Sequence, residues 1–204
     1  TVGLIAMINF ARANVTSDDP SIREVNAVTF ALIGKTHGVG YILPLIRALC
    51  TSKDAWEARH SGALIIRSIA TEMGNAVLPF LCSLISCIEA CLSSENAIIR
   101  IAAEVSVARL ATASYPYGDK AFIGILPQIW IGVKYHKCNE IGACLNALSC
   151  ILKLLSPNVA FRYARELCVL LKSYFGSNNI TVKIGVLKCL RVSAEVYKKI
   201  KVKI

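Results

Sequence analysis

The sequence predicts an all-α fold in which helical hairpins stack side by side into a solenoid. Three features repeat in one order along the chain and predict this fold: a helix-like segment with a basic residue near its start, a glycine at the end of that segment, and a Leu-Pro pair in the next segment. Internal repetition with a period of 20–50 residues is typical of solenoids and related repeat arrays.

The basic residue is an arginine in three copies. Arg23, Arg59 and Arg100 lie 36 and 41 residues apart, and each is followed by small and apolar residues at helical spacing. A later segment, Ile180 to Ile184, fits a further copy with Lys183 in the place of the arginine. Apolar residues that recur every three or four positions predict amphipathic helices.

Glycines and prolines mark the ends of these helices. Three of the arginine segments are followed by a glycine, at Gly38, Gly74 and Gly118, and we expect each to end its helix. The next helix carries Leu-Pro near its start, where the missing N–H of proline is well tolerated, in three copies: Leu43-Pro44, Leu78-Pro79 and Leu126-Pro127. Short polar turns then lead to the following arginine helix: Thr51 to Asp54, Ser93 to Asn96, His136 to Glu140 and Gly176 to Asn179.

Each unit is therefore a first helix, a polar turn and a second helix, with a period near 40 residues that is typical of HEAT and armadillo repeats. We predict a HEAT-type solenoid of about five hairpins in a right-handed superhelical stack, with units at 1–38, 39–74, 75–118, 119–156 and 157–204. The fourth unit is the weakest copy, because Gly142 stands where the others have a basic residue. No polar capping repeat is visible at either end, so we expect a fragment of a longer solenoid.

Composition favours stacked helices over a membrane protein. Hydrophobic residues make up 55% of the chain, but the longest uncharged run, Met73 to Ile88, is interrupted by Gly74 and Pro79. A spanning helix needs about 20 apolar residues. The nine cysteines include no Cys-x-x-Cys pair and an odd number, which favours buried cysteines in a reducing compartment over disulfides or a metal site.

Basic residues are concentrated in the second half of the chain. Residues 1–99 carry seven Lys and Arg against eight Asp and Glu, whereas residues 100–204 carry sixteen against five. This asymmetry favours a polyanion or an acidic partner near the second half, and solvated helix faces with a basic tail are the alternative.

We find no pattern that indicates an active site, a metal site or a cofactor site. The three histidines, His37, His60 and His136, fall in different units, and the phosphate-binding, dinucleotide-binding and zinc-protease motifs are absent from the sequence. We therefore predict a binding scaffold that is not an enzyme, has no cofactor or metal, and takes no small-molecule substrate.

A binding surface is expected along the edge formed by the turns and the starts of the second helices. Arg23, Arg59 and Arg100 should form a ladder there, and a structural role for them is favoured over phosphate contact, with Asp19, Asp54 and Glu95 as plausible partners. Lys53, His60, Lys134 and Lys137 are less explained by packing and are better candidates for contact with a nucleic-acid backbone.

Several segments resemble the splicing factor 3b subunit 1 family, whose members are the large HEAT-repeat subunit of the U2 small nuclear ribonucleoprotein. The resemblance extends from about Gly3 to at least Glu166. It is carried by Trp56-Glu57-Ala58-Arg59-His60-Ser61-Gly62, Met73-Gly74 with Leu78-Pro79, Tyr115-Pro116-Tyr117-Gly118, and Trp130 with Gly132 and His136.

The resemblance implies a nuclear role in pre-mRNA splicing. It implies that the solenoid encloses the duplex of U2 small nuclear RNA and the pre-mRNA branch site, and that it holds other subunits of the splicing factor 3b complex. The implied RNA-binding positions are Arg23, Arg59, His60, Arg100 and the segment Lys134 to Asn139, which includes His136 and Lys137. Leu64, Ile98 and Asn139 stand where better-known members carry lysine, and Lys53, Lys134 and Lys137 are candidates to compensate.

Two other functions stay open from the residues alone. A generic HEAT adaptor, such as a transport or ribosome-assembly factor, would hold protein helices or acidic peptides. An enzyme or enzyme accessory would need a converging polar pocket.

Overall fold

The computed structural model of the chain describes residues 2–135 and 138–201, and these residues form eleven α-helices and two short 3₁₀ helices with no strand. The α-helices are α1 (Val2–Ala13), α2 (Pro20–His37), α3 (Val39–Cys50), α4 (Trp56–Met73), α5 (Leu81–Leu92), α6 (Ala97–Ser114), α7 (Asp119–Ile123), α8 (Leu126–Tyr135), α9 (Cys138–Leu154), α10 (Pro157–Leu171) and α11 (Ile180–Lys201). The 3₁₀ helices are Gly74–Phe80 and Lys172–Tyr174.

The helices form two layers. The longer second helices of the hairpins, α2, α4, α6, α9 and α11, pack side by side in chain order and make the largest interfaces of the molecule. The shorter first helices α3, α5, α8 and α10 each pack against the second helix that follows them, and α3 also contacts α5. The predicted all-α solenoid is therefore confirmed.

One continuous apolar core fills the space between the layers. Its largest fully buried side chains include Phe30, Ile66, Leu84, Leu110 and Phe122, and these come from both layers. Each hairpin buries its apolar stripe against its neighbours, as expected of a solenoid in which a single repeat cannot cover its own hydrophobic face.

Side-chain caps fix where several second helices begin. Asp19 Oδ1 accepts a hydrogen bond from Ser21 N at 2.8 Å at the start of α2, and Asn96 and Asn179 accept equivalent bonds at 2.9 Å at the starts of α6 and α11. Such caps satisfy amide groups that have no partner inside the helix. The helix α4 begins after Ala55 without a side-chain cap.

The glycine and proline predictions are confirmed only in part. Gly38 and Gly74 end α2 and α4 with φ values of 95° and 52°, but α6 already ends at Ser114, and Gly118 (φ 88°) precedes α7 instead. Of the three prolines, Pro127 lies in the first turn of its helix. Pro44 lies inside α3, and Pro79 lies in the 3₁₀ helix before α5.

The stretch Trp56–Leu92 is long and apolar enough to cross a membrane by length and composition alone, contrary to the expectation from uncharged runs. In the structure it consists of α4, a 3₁₀ helix and α5, and the chain bends at Gly74. Because α4 lies between α2 and α6, and α5 packs on α6, the apolar residues of this stretch are accounted for by the core.

Candidate nucleic-acid interface along the turn edge

The turns between first and second helices, together with the first two turns of the second helices, form one side of the structure that we call the turn edge. Arg23, Arg59 and Arg100 are each the fourth residue of their helices α2, α4 and α6. The three arginines thus occupy the same position in successive hairpins, but their surroundings differ.

Arg23 is buried and holds the turn that precedes its own helix. Its Nη1 donates to the backbone oxygens of Ser17 and Asp18, the latter at 3.1 Å, and only 3% of the residue is exposed. The guanidinium also reaches the next hairpin: its Nε donates to Nδ1 of His60 at 3.4 Å, and its Cζ lies 5.3 Å from the ring centre of Trp56. Arg23 therefore joins one turn to the following second helix.

Arg100 repeats this arrangement two hairpins later. Its Nη1 donates to the backbone oxygens of Ser94 at 2.6 Å and Glu95 at 2.7 Å, and its Nε and Nη2 donate to Oε2 of Glu140 in α9 at 3.1 and 2.7 Å. Hydrogen bonds between charged partners are roughly twice as strong as neutral ones. The guanidiniums of Arg23 and Arg100 are thus engaged in joining hairpins.

Arg59 breaks the pattern. Its side chain is half-buried, and within the described residues its Nε is buried without a hydrogen-bond partner. A buried N–H group without a hydrogen-bond partner lowers the stability of the fold, unless another group accepts a hydrogen bond from it. Of the three arginines at this position, Arg59 is therefore the one whose side chain shows no hydrogen bond that joins hairpins among the described residues.

His60 lies against Arg23 and Trp56 and is neutral at physiological pH. Burial, together with the nearby charges of Arg23 and Arg67, lowers the pKa of His60 to about 4. Its ring makes an edge contact with Trp56, with centroids 6.2 Å apart. His60 can donate or accept a hydrogen bond, but it cannot supply the cation expected of a phosphate contact at neutral pH.

The lysine candidates differ in exposure. Lys53 is exposed in the turn before α4. Lys134, in the last turn of α8, lies 4.0 Å from Oε2 of Glu166 and 5.3 Å from the ring centre of Trp130, and 35% of its side chain is exposed. Both lysines are exposed residues at or near the turn edge, while His136 and Lys137 lie outside the described residues.

The resemblance implies that Leu64, Ile98 and Asn139 stand in place of lysines. The structure describes the side chains of the first two. Leu64 is 4% exposed and belongs to the core of α4, whereas Ile98 is 51% exposed near the start of α6. The side chain of Asn139 lies outside the described part of the chain. Ile98 therefore places an exposed apolar side chain at the turn edge of the third hairpin.

The acidic residues expected to pair with the arginines do not do so through their carboxylates. Asp19 caps α2, and Glu95 bonds Arg100 only through its backbone oxygen. Asp54 is exposed and forms no ion pair among those found in the described residues. The acid that does pair with the ladder is Glu140, one hairpin further along, and sequence reasoning missed it.

A buried polar pair between α6 and α9 was also missed. Cys144 Sγ donates to Oε1 of Glu104 at 2.8 Å, and Glu104 is only 2% exposed. Burial raises the pKa of Glu104 to about 7 and raises the pKa of Cys144 as well. The two residues are 40 positions apart, one repeat period, and this separation is the signal that could have paired them.

The cysteines are mostly part of the core. Of the eight whose side chains are described, five are buried, Cys150 and Cys168 are half-buried, and Cys82 is exposed, and none forms a disulfide. Over the described residues, no group of three His, Cys, Asp or Glu side chains could hold a metal ion.

Comparison with known proteins identifies relatives of the chain. No family model matches. The chain is 36% identical to the U2 snRNP component prp10 of Schizosaccharomyces pombe over 186 residues, which cover 91% of the chain and 15% of that protein. It is 31% identical over 189 residues to the U2 snRNP component HSH155 of Saccharomyces cerevisiae, covering 93% of the chain and 20% of that protein.

The structural comparison supports the fold alone. The crystal structure of an engineered helical repeat protein superposes with a TM-score of 0.67 and 18% identity, covering 91% of this chain and 78% of the engineered chain. The chain spans about a fifth or less of the length of the two yeast relatives. The prediction of a chain that is not an enzyme agrees with these relatives, which are named as components of a ribonucleoprotein.

Proposed function

We propose that this chain, whose resemblance to splicing factor 3b subunit 1 is confirmed by its similarity to two U2 snRNP components, is a segment of a spliceosomal scaffold. The scaffold acts in the nucleus, within the splicing factor 3b complex. It helps to hold the pre-mRNA branch-site region against U2 small nuclear RNA. The observation that carries this proposal is similarity over nine tenths of the chain.

The turn edge supports a division of labour among the candidate residues. Arg23 and Arg100 join hairpins and fix the shape of the edge, so we assign them an indirect role. Lys53, Arg59 and Lys134 retain exposed or unsatisfied donors, so we assign direct phosphate contact to these three. Phosphate contacts position a protein on a nucleic acid without reading its sequence.

The remaining candidates have different parts in this proposal. His60 is neutral, so we assign it a hydrogen bond that orients Arg23, and we assign it no charged contact with RNA. His136 and Lys137 stay candidates on sequence grounds alone.

A pull-down of the tagged full-length protein, followed by detection of U2 small nuclear RNA, tests the scaffold role. A generic HEAT adaptor would recover acidic protein partners without that RNA, and this result would contradict the proposal.

Variants of the full-length protein test the edge separately. Lys53→Ala with Lys134→Ala should weaken binding to branch-site RNA and reduce the dependence of log K on log salt by about one per lost phosphate contact. Lys120→Ala is a matched control, because Lys120 is exposed in α7, at the opposite edge of the stack between the end of α6 and the start of α8. Equal affinities and salt slopes for the double variant and the control would overturn the assignment of these lysines.

A further inference from the structure

We propose that the outer face of α9, together with the flanks of α6 and α11, binds an acidic peptide that also carries apolar side chains. The site is a trough whose floor is Ala143, Asn146, Cys150 and Lys153. These residues are spaced by three, four and three positions, so they lie on one face of the helix. This inference does not depend on the RNA contacts proposed for the turn edge.

The trough exists because most of its floor is built of short side chains, those of Ala143, Asn146 and Cys150, and longer side chains line its walls. Two cavities follow each other along it, with volumes of about 270 Å³ and 310 Å³. Asn146 belongs to the first cavity and Cys150 to the second, and they are one helical turn apart. The two cavities therefore continue one another along α9.

The end of the trough near the start of α9 is mostly apolar, and the one charged side chain that lines it, Lys188, donates from Nζ to Oδ1 of Asn146 at 2.6 Å. Ile101 and Val105 of α6 form one wall, Ile184 of α11 forms the other, and Ala143 lies between them. Ile184 is 47% exposed. Covering aliphatic surface of this kind is favourable, so this end suits an apolar side chain of a partner.

The other end of the trough is basic. Lys153, Arg191 and Lys199 line the second cavity together with a single acid, Glu195. Arg191 Nε lies 3.1 Å from Oε1 of Glu195, but their side chains are 77% and 46% exposed, so this pair is weak and open to exchange. Three cations against one carboxylate leave an excess of positive charge, which favours a partner with carboxylates here.

Distance and charge together define the partner. Ala143 and Lys153 are ten residues apart on one helix, which corresponds to about 15 Å. The partner must place an apolar side chain at one end and its acidic residues about 15 Å further along. A helix of about ten residues or a shorter extended segment meets this requirement.

A nucleic-acid strand fits the trough less well. Such a strand carries a phosphate on every nucleotide and would bring these charges to the apolar end as well as to the basic end. Single-stranded nucleic acids also stack successive bases on aromatic side chains, whereas the lining of this trough offers one aromatic residue, Tyr115 at the basic end, and aliphatic walls at the other end. The combination of an aliphatic end and a basic end therefore favours a peptide.

Fluorescence anisotropy with a labelled synthetic peptide of about ten residues, with two leucines at one end and three glutamates at the other, tests the inference. We expect saturable binding that weakens with added salt. Lys153→Ala with Arg191→Ala should weaken it about tenfold, and Val105→Ser should weaken it several-fold, because these changes remove the basic and the apolar contacts separately. Circular dichroism should show unchanged helix content, since the substituted side chains line an open surface.

Two controls and one competitor make the result decisive. Lys172→Ala removes an exposed cation away from the trough and should bind as the original chain does. A peptide with lysines in place of the glutamates should not bind. The inference is overturned if the acidic peptide fails to bind, if the double variant binds it as Lys172→Ala does, or if an oligouridine competes with it and shows the same sensitivity to the trough variants.

Discussion

Arg100 and Glu140 lock α6 to α9 through two hydrogen bonds from one guanidinium to one carboxylate oxygen, Nε to Oε2 at 3.1 Å and Nη2 to Oε2 at 2.7 Å. The same guanidinium holds the turn before α6 through Ser94 and Glu95. One side chain thus fixes both a turn and the contact between two hairpins.

Loss of this contact should destabilise the chain. The side chains of Arg100 and Glu140 are 18% and 10% exposed, so the pair lies between a surface and a buried ion pair. We expect Arg100→Ala to lower the free energy of unfolding by about 2 kcal/mol in urea titrations followed by circular dichroism. Arg109→Ala, at an exposed position of the same helix, should change it by less than about 0.5 kcal/mol. Equal effects of the two substitutions would show that the pair contributes nothing.

The buried carboxyl of Glu104 should make stability depend on pH. Its pKa is about 7 in the folded chain against 4.5 for an ordinary glutamate, so the folded state binds more protons between these values. The stability that the protonated Glu104 carboxyl contributes is therefore fully present below about pH 4.5. It decreases as the pH rises above that value and is lost as the pH passes 7. The loss should be on the order of 3 kcal/mol, and Glu104→Gln should remove most of it. Urea midpoints at pH 5 and pH 8 measure the difference, and a Glu104→Gln variant with the original pH dependence would contradict this origin.

The sequence predicts the layers of the fold better than the contacts between them. Apolar periodicity and recurring arginines depend on local spacing, and they located the second helices. The partners of Arg23 and Arg100 depend on the register between hairpins, so His60 and Glu140 emerge only in the structure. That register brings residues about one period apart into contact, as with Tyr174 and the backbone oxygen of Val133, which are 41 positions apart.

Prolines and glycines were harder to interpret for a related reason. Pro44 lies inside α3, where packing against α4 and α5 maintains the helix despite the lost hydrogen bond. Gly142 occupies a close approach in place of a basic residue, because a Cβ there would lie 2.9 Å from the backbone carbon of Thr181 in α11. Both effects come from neighbouring hairpins, which local sequence patterns do not describe.

Gly62 should tolerate no side chain, because α4 passes close to the end of α3. A Cβ at Gly62 would lie 2.7 Å from Sγ and 3.1 Å from the backbone nitrogen of Cys50. We expect Gly62→Ala to lower the free energy of unfolding by about 1–3 kcal/mol, measured by urea denaturation. Gly40→Ala in α3 is the matched control, since a Cβ there meets nothing within 4 Å, and it should leave stability unchanged or slightly higher. Equal free energies of unfolding for the two variants would mean that α3 and α4 move apart without loss of stability, and would contradict this prediction.

His60 should remain neutral through the physiological range, and this determines how it acts at the turn edge. Its pKa of about 4 lies below the value of 6.5 for an ordinary histidine, so the unfolded chain binds more protons between these values. The stability that His60 contributes is present above about pH 6.5 and is lost as pH falls towards 4. A titration of the imidazole followed by NMR, with the exposed His37 as an internal reference, measures the pKa directly. Replacing Arg23 with Gln should raise the pKa of His60, because a nearby positive charge that disfavours protonation is removed. A midpoint for His60 near 6.5 in the original chain would instead make it a cation at mildly acidic pH, and its assignment as a neutral hydrogen-bonding partner of Arg23 would be wrong.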